Sequence, residues 1–468
     1  MSLKRNLFLL ALAGAFCASP PASATDPFLL DITVAGGQTS PQNQRFGFGS
    51  VDEAIDKLSF EQLQQSFSNY SFSSLVDVGM DFRGLGAAMN FPGQSANLTF
   101  SVPGVTINPG GQNPDQRIFQ GQGANGDSAR KDALAQLKDY LKKNKDALKA
   151  LLTALAQRSP IDPLAGNPLS LQSQMMARNF EYGFTHKVSQ IWGCSTTAFE
   201  LNRERPILIA SASDDLSGVL ADAQNRAAAL RGRNELGLGA QYQTSTAPIR
   251  GSALRSGDFN SYSLTLPLSY TVNFDARPGH KLRFDLPLTT VDSDGSKSYA
   301  LGFGVGYTYP VNEVWSLTPA VGVGATGSTD LGSAGGMSSL SIASSFTHRF
   351  DSFALSIGNL IGQYSSLKLK LGDVEAAADV KNTVFTNGVL VSGPNSLIAR
   401  NLVVEYSLTD TRLSGDTVYS KRYDELGVSL GRLTTEQGVV TSYLKGGLSY
   451  VTGEQGLKGF KLSLGWRF

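Results

Sequence analysis

The sequence ends with the stretch GFKLSLGWRF, residues 459–468, and this stretch decides how the rest of the chain is interpreted. Apolar side chains occupy every second position, and the positions between them hold Lys, Ser, Gly and Arg. Because successive side chains of a β-strand point to opposite faces, the alternation predicts a strand with one apolar and one polar face. The pattern continues to the last residue, Phe468, which indicates that this end is held or recognised.

The same alternation repeats from about residue 234 onward. Four consecutive apolar runs start near Tyr262, Leu282, Tyr299 and Trp315, and further runs follow as far as the terminal strand. Short stretches with Gly, Pro, Asn or Asp separate the runs, as is typical of turns. The pattern over residues 234–468 therefore predicts about 12 strands with no helices between them.

Many short alternating strands form either a sandwich or a barrel. Aromatic residues gather near the predicted strand ends, where a transmembrane barrel has its interfacial girdles, and the middles of the apolar faces hold Leu and Val. The opposite faces hold Gly, Ser, Thr, Asn and Lys, which would be costly in a dry core. We therefore predict a mainly β fold, with a transmembrane antiparallel β-barrel over residues 234–468. A soluble all-β domain is the alternative.

The amino-terminal stretch MSLKRNLFLLALAGAFCASPPASA, residues 1–24, has basic residues, an apolar run and a small-residue end. This pattern predicts a cleaved signal peptide, with a mature chain from about Thr25. The 40 Lys and Arg residues nearly balance the 39 Asp and Glu residues, which argues against nucleic acid as a partner. Outside the signal peptide, no apolar run approaches the roughly 20 residues of a membrane helix.

A signal peptide, repeated amphipathic strands and a last strand ending in Trp466, Arg467 and Phe468 together resemble bacterial outer-membrane β-barrel proteins. The resemblance implies an outer-membrane location, contact with outer-membrane lipid and lipopolysaccharide, and recognition by the barrel assembly machinery. Trp466 and Phe468 would then form the assembly signal. A predicted helix before the first barrel strand also resembles the plug helix of autotransporter translocators, which is an architectural similarity and does not settle function.

The region before the barrel is predicted to be mixed α+β. Residues 25–126 are rich in Gly, Asn and Gln and predict short strands and a helix. Residues 127–158 predict an amphipathic helix, which either forms a short coiled coil in a homo-oligomer or packs on its own domain. Residues 159–233 predict a turn-rich connector and a helix at residues 217–231, together a candidate plug. The heptad seam of the amphipathic helix consists of Leu134, Leu137, Leu141, Leu148, Leu151 and Leu155.

The chain offers little for catalysis. Its histidines, His186, His280 and His348, are far apart and form no metal-binding motif. The stretch GVSLG, residues 427–431, matches the spacing G-x-S-x-G but lies in an alternating strand, whereas a nucleophilic serine of this type needs a strand-to-helix turn. We therefore expect no enzyme activity, no catalytic residue, no metal and no cofactor.

Two classes of function remain. In the first, the barrel is a pore or a secretion or transport conduit, plugged or gated by the N-terminal region. Lys368, Lys370, Lys421 and Arg432 are then candidate lumen charges. In the second, the barrel is a membrane anchor that displays an N-terminal binding or adhesion module to a protein partner. The sequence favours the conduit and identifies no substrate.

Overall fold

The structure, a computed structural model, describes most of the chain between residues 26 and 467. The described residues are 26–36, 40–71, 73–92, 97–184, 234–249, 254, 257–274, 276–277, 279–331, 333–350, 352–371, 374–376, 378–394, 402–436 and 439–467. The predicted signal peptide, the predicted helix at residues 217–231, His186 and Phe468 lie outside these residues.

The amino-terminal part, residues 26–158, forms a six-stranded sheet with helices packed on one face. The strands are β1 (Phe28–Ala35), β2 (Gln42–Phe48), β3 (Leu75–Phe82), β4 (Leu85–Phe91), β5 (Asn97–Ser101) and β6 (Gln116–Gln120), in the order β2-β1-β3-β4-β5-β6. The helices are α1 (Val51–Asp56), α2 (Phe60–Ser66), α3 (Gly126–Lys143) and α4 (Lys145–Arg158). Alternate residues of β1 are buried, so its apolar face lies in the core. We call residues 26–158 the cap.

The helix predicted at residues 127–158 is divided in the structure into α3 and α4. Asn144 lies between them with φ −96° and ψ 89°, outside the helical region. An Asn side chain competes for nearby backbone hydrogen bonds and therefore favours helix ends over helix interiors. The leucine seam packs within this chain. Leu134, Leu137, Leu141, Leu151 and Leu155 contact the cap core, whereas Leu148 contacts the apolar cluster that lies inside the barrel.

Twelve antiparallel strands from the second half of the chain close into a barrel, which confirms the predicted fold class. They are β7 (Glu235–Pro248), β8 (Asp258–Asn273), β9 (Lys281–Ser293), β10 (Ser296–Pro310), β11 (Trp315–Ser328), β12 (Ser333–Arg349), β13 (Ala354–Leu367), β16 (Lys381–Pro394), β17 (Leu402–Gly415), β18 (Arg422–Glu436), β19 (Val439–Gly453) and β20 (Lys458–Arg467). A small hairpin, β14 (Leu369–Leu371) and β15 (Val374–Ala376), lies in the connection between β13 and β16. The pairing of β20 with β7 closes the ring.

The two faces of the barrel wall follow the alternation in the sequence. On β10, Tyr299, Leu301 and Phe303 are 60%, 49% and 45% exposed on the outside, whereas Ser298 and Ala300 are buried on the inside. An outer band of this kind fits an outer-membrane location. No helix among the described residues is long and apolar enough to cross a membrane.

The cap lies on one mouth of the barrel. The hydroxyl of Ser296, next to the β9–β10 turn, donates a hydrogen bond of 2.8 Å to the carbonyl of Gly49 in the cap. Three barrel residues are buried in the same apolar cluster as the cap core: Ile249, Phe259 and Leu331. We call this end the cap mouth. The opposite end, where β7 begins and β20 ends, is the terminal mouth.

Candidate functional site in the barrel lumen

The chain passes from the cap into the barrel. Residues 159–170 follow α4 directly and form a turn-rich loop, and α5 (Leu171–Phe184) follows this loop. Residues 159–173 are all buried. We call residues 159–184 the lumen segment.

The helix α5 runs along the lumen from the cap mouth towards the terminal mouth. At its start, Leu171 packs against Gly324 of β11. At its end, Phe184 packs against Gly358, which lies close to the terminal-mouth end of β13. The helix contacts β10, β11, β12, β13 and β16, so it lies against one side of the wall.

Glycines of the wall leave the space that this helix occupies. A Cβ atom at Gly304 would lie 2.9 Å from the guanidinium carbon of Arg178, and one at Gly388 would lie 2.6 Å from the ring of Phe180. Interiors are close-packed, and a larger residue at such a site forces its neighbours to move. The Gly-rich inner face of these strands is therefore the surface on which α5 packs.

Hydrogen bonds fix the rotation of α5 in the lumen. The side-chain amide of Gln172 donates to Oδ1 of Asn382 at 3.0 Å, and the amide of Asn179 donates to the hydroxyl of Tyr364 at 3.0 Å. Apolar side chains fill the space around these bonds. The buried cluster includes Met175, Met176, Phe180 and Phe184 of α5, and Leu360, Val384 and Leu390 of the wall.

Arg178 is the unusual residue of α5. It is 8% exposed, and none of its three guanidinium nitrogens has a hydrogen-bond partner. The guanidinium lies over Gly302, Gly304 and Gly322, and no carboxylate of the described residues pairs with it. Because a buried charge is costly unless it is paired, Arg178 weakens the packing of α5 in the lumen.

Replacing Arg178 with Met is therefore expected to stabilise the protein, by about 1–3 kcal/mol. Met keeps a long apolar chain over the glycines and removes the unpaired charge. The measurement is the denaturant midpoint of the helical circular dichroism signal of the purified protein. Arg277→Met, at an exposed arginine in the terminal-mouth turn, is the matched control and should leave the midpoint unchanged. A lower midpoint for Arg178→Met would mean that the guanidinium has a stabilising partner.

The rest of the wall carries charges in pairs, and the guanidinium of Arg283 lies 5.4 Å from the ring centre of Tyr182 in α5. These charges share the inward parity of their strands, and they come from β7, β9 and β17 to β20. The pairs are Lys281–Glu235 (3.4 Å), Arg283–Asp285 (2.7 Å), Lys461–Glu425 (2.5 Å) and Lys445–Glu405. Paired charges of this kind suit a polar interior and would be costly against lipid.

Comparisons with known proteins give relatives of the barrel in structure only. No protein-family model matches the sequence, and no curated protein is significantly similar to it. Solved structures do match.

The barrel resembles outer-membrane barrels of two kinds, autotransporter domains and channels. The β domain of the Bordetella autotransporter Brka is 12% identical, with 51% of this chain and 99% of that chain covered and a TM-score of 0.39.

Two further similar structures are a translocator domain and a channel. The translocator domain of autotransporter NalP from Neisseria meningitidis is 11% identical, with 60% of this chain and 99% of that chain covered and a TM-score of 0.39. An outer membrane channel from Pseudomonas putida is 17% identical, with 50% and 94% covered and a TM-score of 0.38. The neighbours thus include autotransporter translocators and a channel.

The charges predicted for the lumen of this outer-membrane-type barrel lie elsewhere. Lys368 is exposed in the connection after β13, Lys370 belongs to β14 outside the ring, and Lys421 precedes β18 at the cap mouth. Arg432 is exposed and has the parity of Leu430, which lies on the outer face. The prediction was wrong for two reasons. Arg432 has the outward parity of its strand, and the three lysines lie in connections between the strands of the ring.

The remaining candidate residues are distributed around the barrel. Trp466 lies on the outer face of β20 and is 47% exposed, close to the terminal mouth. His280 lies at the terminal mouth, where its Nδ1 is 2.7 Å from the hydroxyl of Tyr307, and His348 contacts Phe350. Ser429 lies within β18, as its alternation predicts. Among the described residues, no group of three His, Cys, Asp or Glu residues is placed to hold a metal ion.

Proposed function

We propose that the barrel anchors this protein in the outer membrane and displays the cap on the outer surface, with the lumen closed by the chain's own lumen segment. One observation carries the proposal. The chain leads from the cap at one mouth into the lumen, and it forms the wall from β7 onward, starting at the opposite mouth.

The even number of strands puts both ends of the barrel at one mouth. Because the ring has an even number of strands, the start of β7 and the end of β20 share the terminal mouth. A chain exported through a signal peptide inserts from the periplasm, and short turns on the periplasmic side are typical of such barrels. With the terminal mouth in the periplasm, the cap faces outward.

Labelling of intact cells tests this orientation. Cys194 is the only cysteine after residue 24, so it is first replaced with Ser. In this background, Lys143→Cys places a thiol on the cap, at a side chain that is 75% exposed. We expect it to react with a membrane-impermeant maleimide in intact cells. Glu313→Cys, in the exposed turn at residues 311–314 of the terminal mouth, should react only after permeabilisation. The reverse pattern would refute the proposed display.

A gated conduit is the second candidate function, and the paired lumen charges favour it. The paired Lys, Arg, Asp and Glu residues of the inner wall would line a polar path if the lumen segment moved out. The unpaired charge of Arg178 would lower the cost of that movement. In this case the cap regulates passage, and the barrel both anchors and transports.

A further inference from the structure

The junction between the cap and the barrel contains a pocket of about 430 Å³ that the anchoring of the cap does not require. Its walls are α4, the cap loop at residues 102–109 and Asp379 of the barrel. A volume of this size lies within the range of small-molecule sites. The pocket is outside the lumen and is open to solvent.

The cap loop that forms one wall is held rigidly. The amide of Ile107 donates to the carbonyl of Pro114 at 2.8 Å, and the hydroxyl of Tyr140 donates to the carbonyl of Ile107 at 2.9 Å. Arg158 at the end of α4 donates from Nη1 to the carbonyl of Pro103 at 3.1 Å. The loop and the helix are therefore fixed relative to each other, and a ligand would lose little free energy in ordering them.

The barrel wall of the pocket contacts α4 directly. Nζ of Lys149 is 2.6 Å from Oδ2 of Asp379, and the amide of Asp379 donates to the hydroxyl of Thr153 at 2.9 Å. Since α4 belongs to the cap and Asp379 to the barrel, a ligand in this pocket would touch both units.

Three polar side chains of the pocket are accessible to a ligand, two of them exposed and the third half-buried. They are the carboxylate of Asp146, the hydroxyl of Thr106 and the side-chain amide of Gln157. Together they offer both hydrogen-bond donors and acceptors. Buried Val105 and Ala154 give an apolar floor between them.

The charges of the pocket indicate what it selects. Lys149 and Arg158 are balanced by Asp146 and Asp379, so the site has no net charge to attract a phosphate or a dicarboxylate. Accessible donors and acceptors over a small apolar floor suit hydroxyl groups, each of which donates and accepts, on a ring with an apolar face. We propose that this junction pocket binds one or two units of a neutral saccharide. The proposal rests on the display of the cap for its access to glycans, and it names what the displayed cap binds.

Binding to the purified full-length protein in nanodiscs tests the proposal, because it does not depend on which mouth faces outward. The probes are the methyl glycosides of glucose, galactose and mannose, N-acetylglucosamine, and the charged sugars glucuronate and glucose 6-phosphate. Saturation-transfer difference NMR detects binding, and titration calorimetry measures affinity. We expect a neutral probe to bind more tightly than the charged ones.

Variants locate the binding. Gln157→Ala and Asp146→Asn should each weaken binding by about tenfold, the effect of losing one good hydrogen bond. Asp139→Ala, on an exposed ion pair of α3, is the control and should leave affinity unchanged. Absence of binding by every neutral probe, preference for the charged probes, or unchanged affinity in both pocket variants would overturn the proposal.

A last arm identifies the source of the saccharide. Nanodiscs that contain lipopolysaccharide should compete with the free glycoside if the sugar comes from the cell's own glycolipid, and should not compete if it comes from outside. The labelling of intact cells tests the orientation of the cap, and the binding measurements in nanodiscs test the ligand. The two results are independent, so a wrong orientation can be distinguished from a wrong ligand.

Discussion

Deleting residues 26–233, which joins Thr25 to Asn234, is expected to convert a closed protein into one that carries a steady current in planar bilayers. The ring of strands is complete without the deleted part, because β20 pairs directly with β7. The deletion removes the cap and the lumen segment, whose helix packs against the inner face of β10 to β13 and β16. A 12-stranded ring encloses more space than the eight-stranded barrels whose interiors side chains fill.

A smaller deletion separates the cap from the lumen segment. Deletion of residues 26–158 removes the cap and keeps residues 159–184, and we expect this variant to stay closed. Conductance from both variants would show that the cap itself makes the seal. If neither variant conducts, the barrel is closed even when residues 26–233 are absent. That result would argue against the gated conduit.

The second large effect is expected at the contact between the cap and the lumen segment. Arg83, in the β3–β4 turn, is buried, and its Nη1 is 3.7 Å from Oδ2 of buried Asp162. Oδ1 of Asp162 accepts hydrogen bonds from the amides of Leu164 and Ala165. Arg83→Met leaves a buried carboxylate without its cation and should lower the free energy of unfolding by about 3–5 kcal/mol. The helical circular dichroism signal during denaturant unfolding measures this loss.

Two further variants test this explanation. Adding Asp162→Asn to Arg83→Met removes the unpaired charge and keeps an acceptor for the two amides, so it should recover most of the lost stability. Lys143→Met breaks the exposed Lys143–Asp139 pair and should change stability by about 0.5 kcal/mol or less. An Arg83→Met protein as stable as the parent would show that the pair does not hold the lumen segment.

The loss in Arg83→Met should also depend on pH. Burial raises the pKa of Asp162, and Arg83 opposes that rise. Without Arg83, the pKa of Asp162 in the folded state rises further above the unfolded value of about 4. At a pH below the unfolded-state pKa, the carboxyl of Asp162 is protonated in both the folded and the unfolded state, so no charge is buried on folding. As pH rises through the folded-state pKa of Asp162, the free energy of unfolding of Arg83→Met should fall further below that of the parent protein.

The barrel could be predicted from the sequence because its strands alternate without interruption. On β10, Tyr299, Leu301 and Phe303 mark one face, and the period of two assigns every residue between them to the other face. The same rule places Arg432 outside. Lys368, Lys370 and Lys421 were misplaced because the sequence pattern does not show that they lie in connections outside the ring. The break at Asn144 could not be predicted from the leucine pattern, because the heptad spacing continues across this residue although its backbone is not helical.

The lumen helix could not be recognised from its own residues. Leu171, Met175 and Phe180 of α5 show the apolar spacing of any packed helix, and nothing in them names a barrel wall as the partner. A signal existed in the wall, where Gly302, Gly304 and Gly322 leave space on the inner face. These three glycines lie side by side on β10 and β11, where Gly304 pairs with Gly322, but nothing in the two strands indicates which helix covers them.

The direct connection between α4 and the lumen segment has a consequence for how the molecule is made. The cap is a six-stranded sheet with four helices, and a bore that holds a single helix cannot pass such a unit once it has folded. In the proposed orientation, the first 130 or so residues of the mature chain therefore reach the outside while still unfolded. The cap must then fold after its passage, so any change that lets the cap core form in the periplasm should trap the chain half-exported.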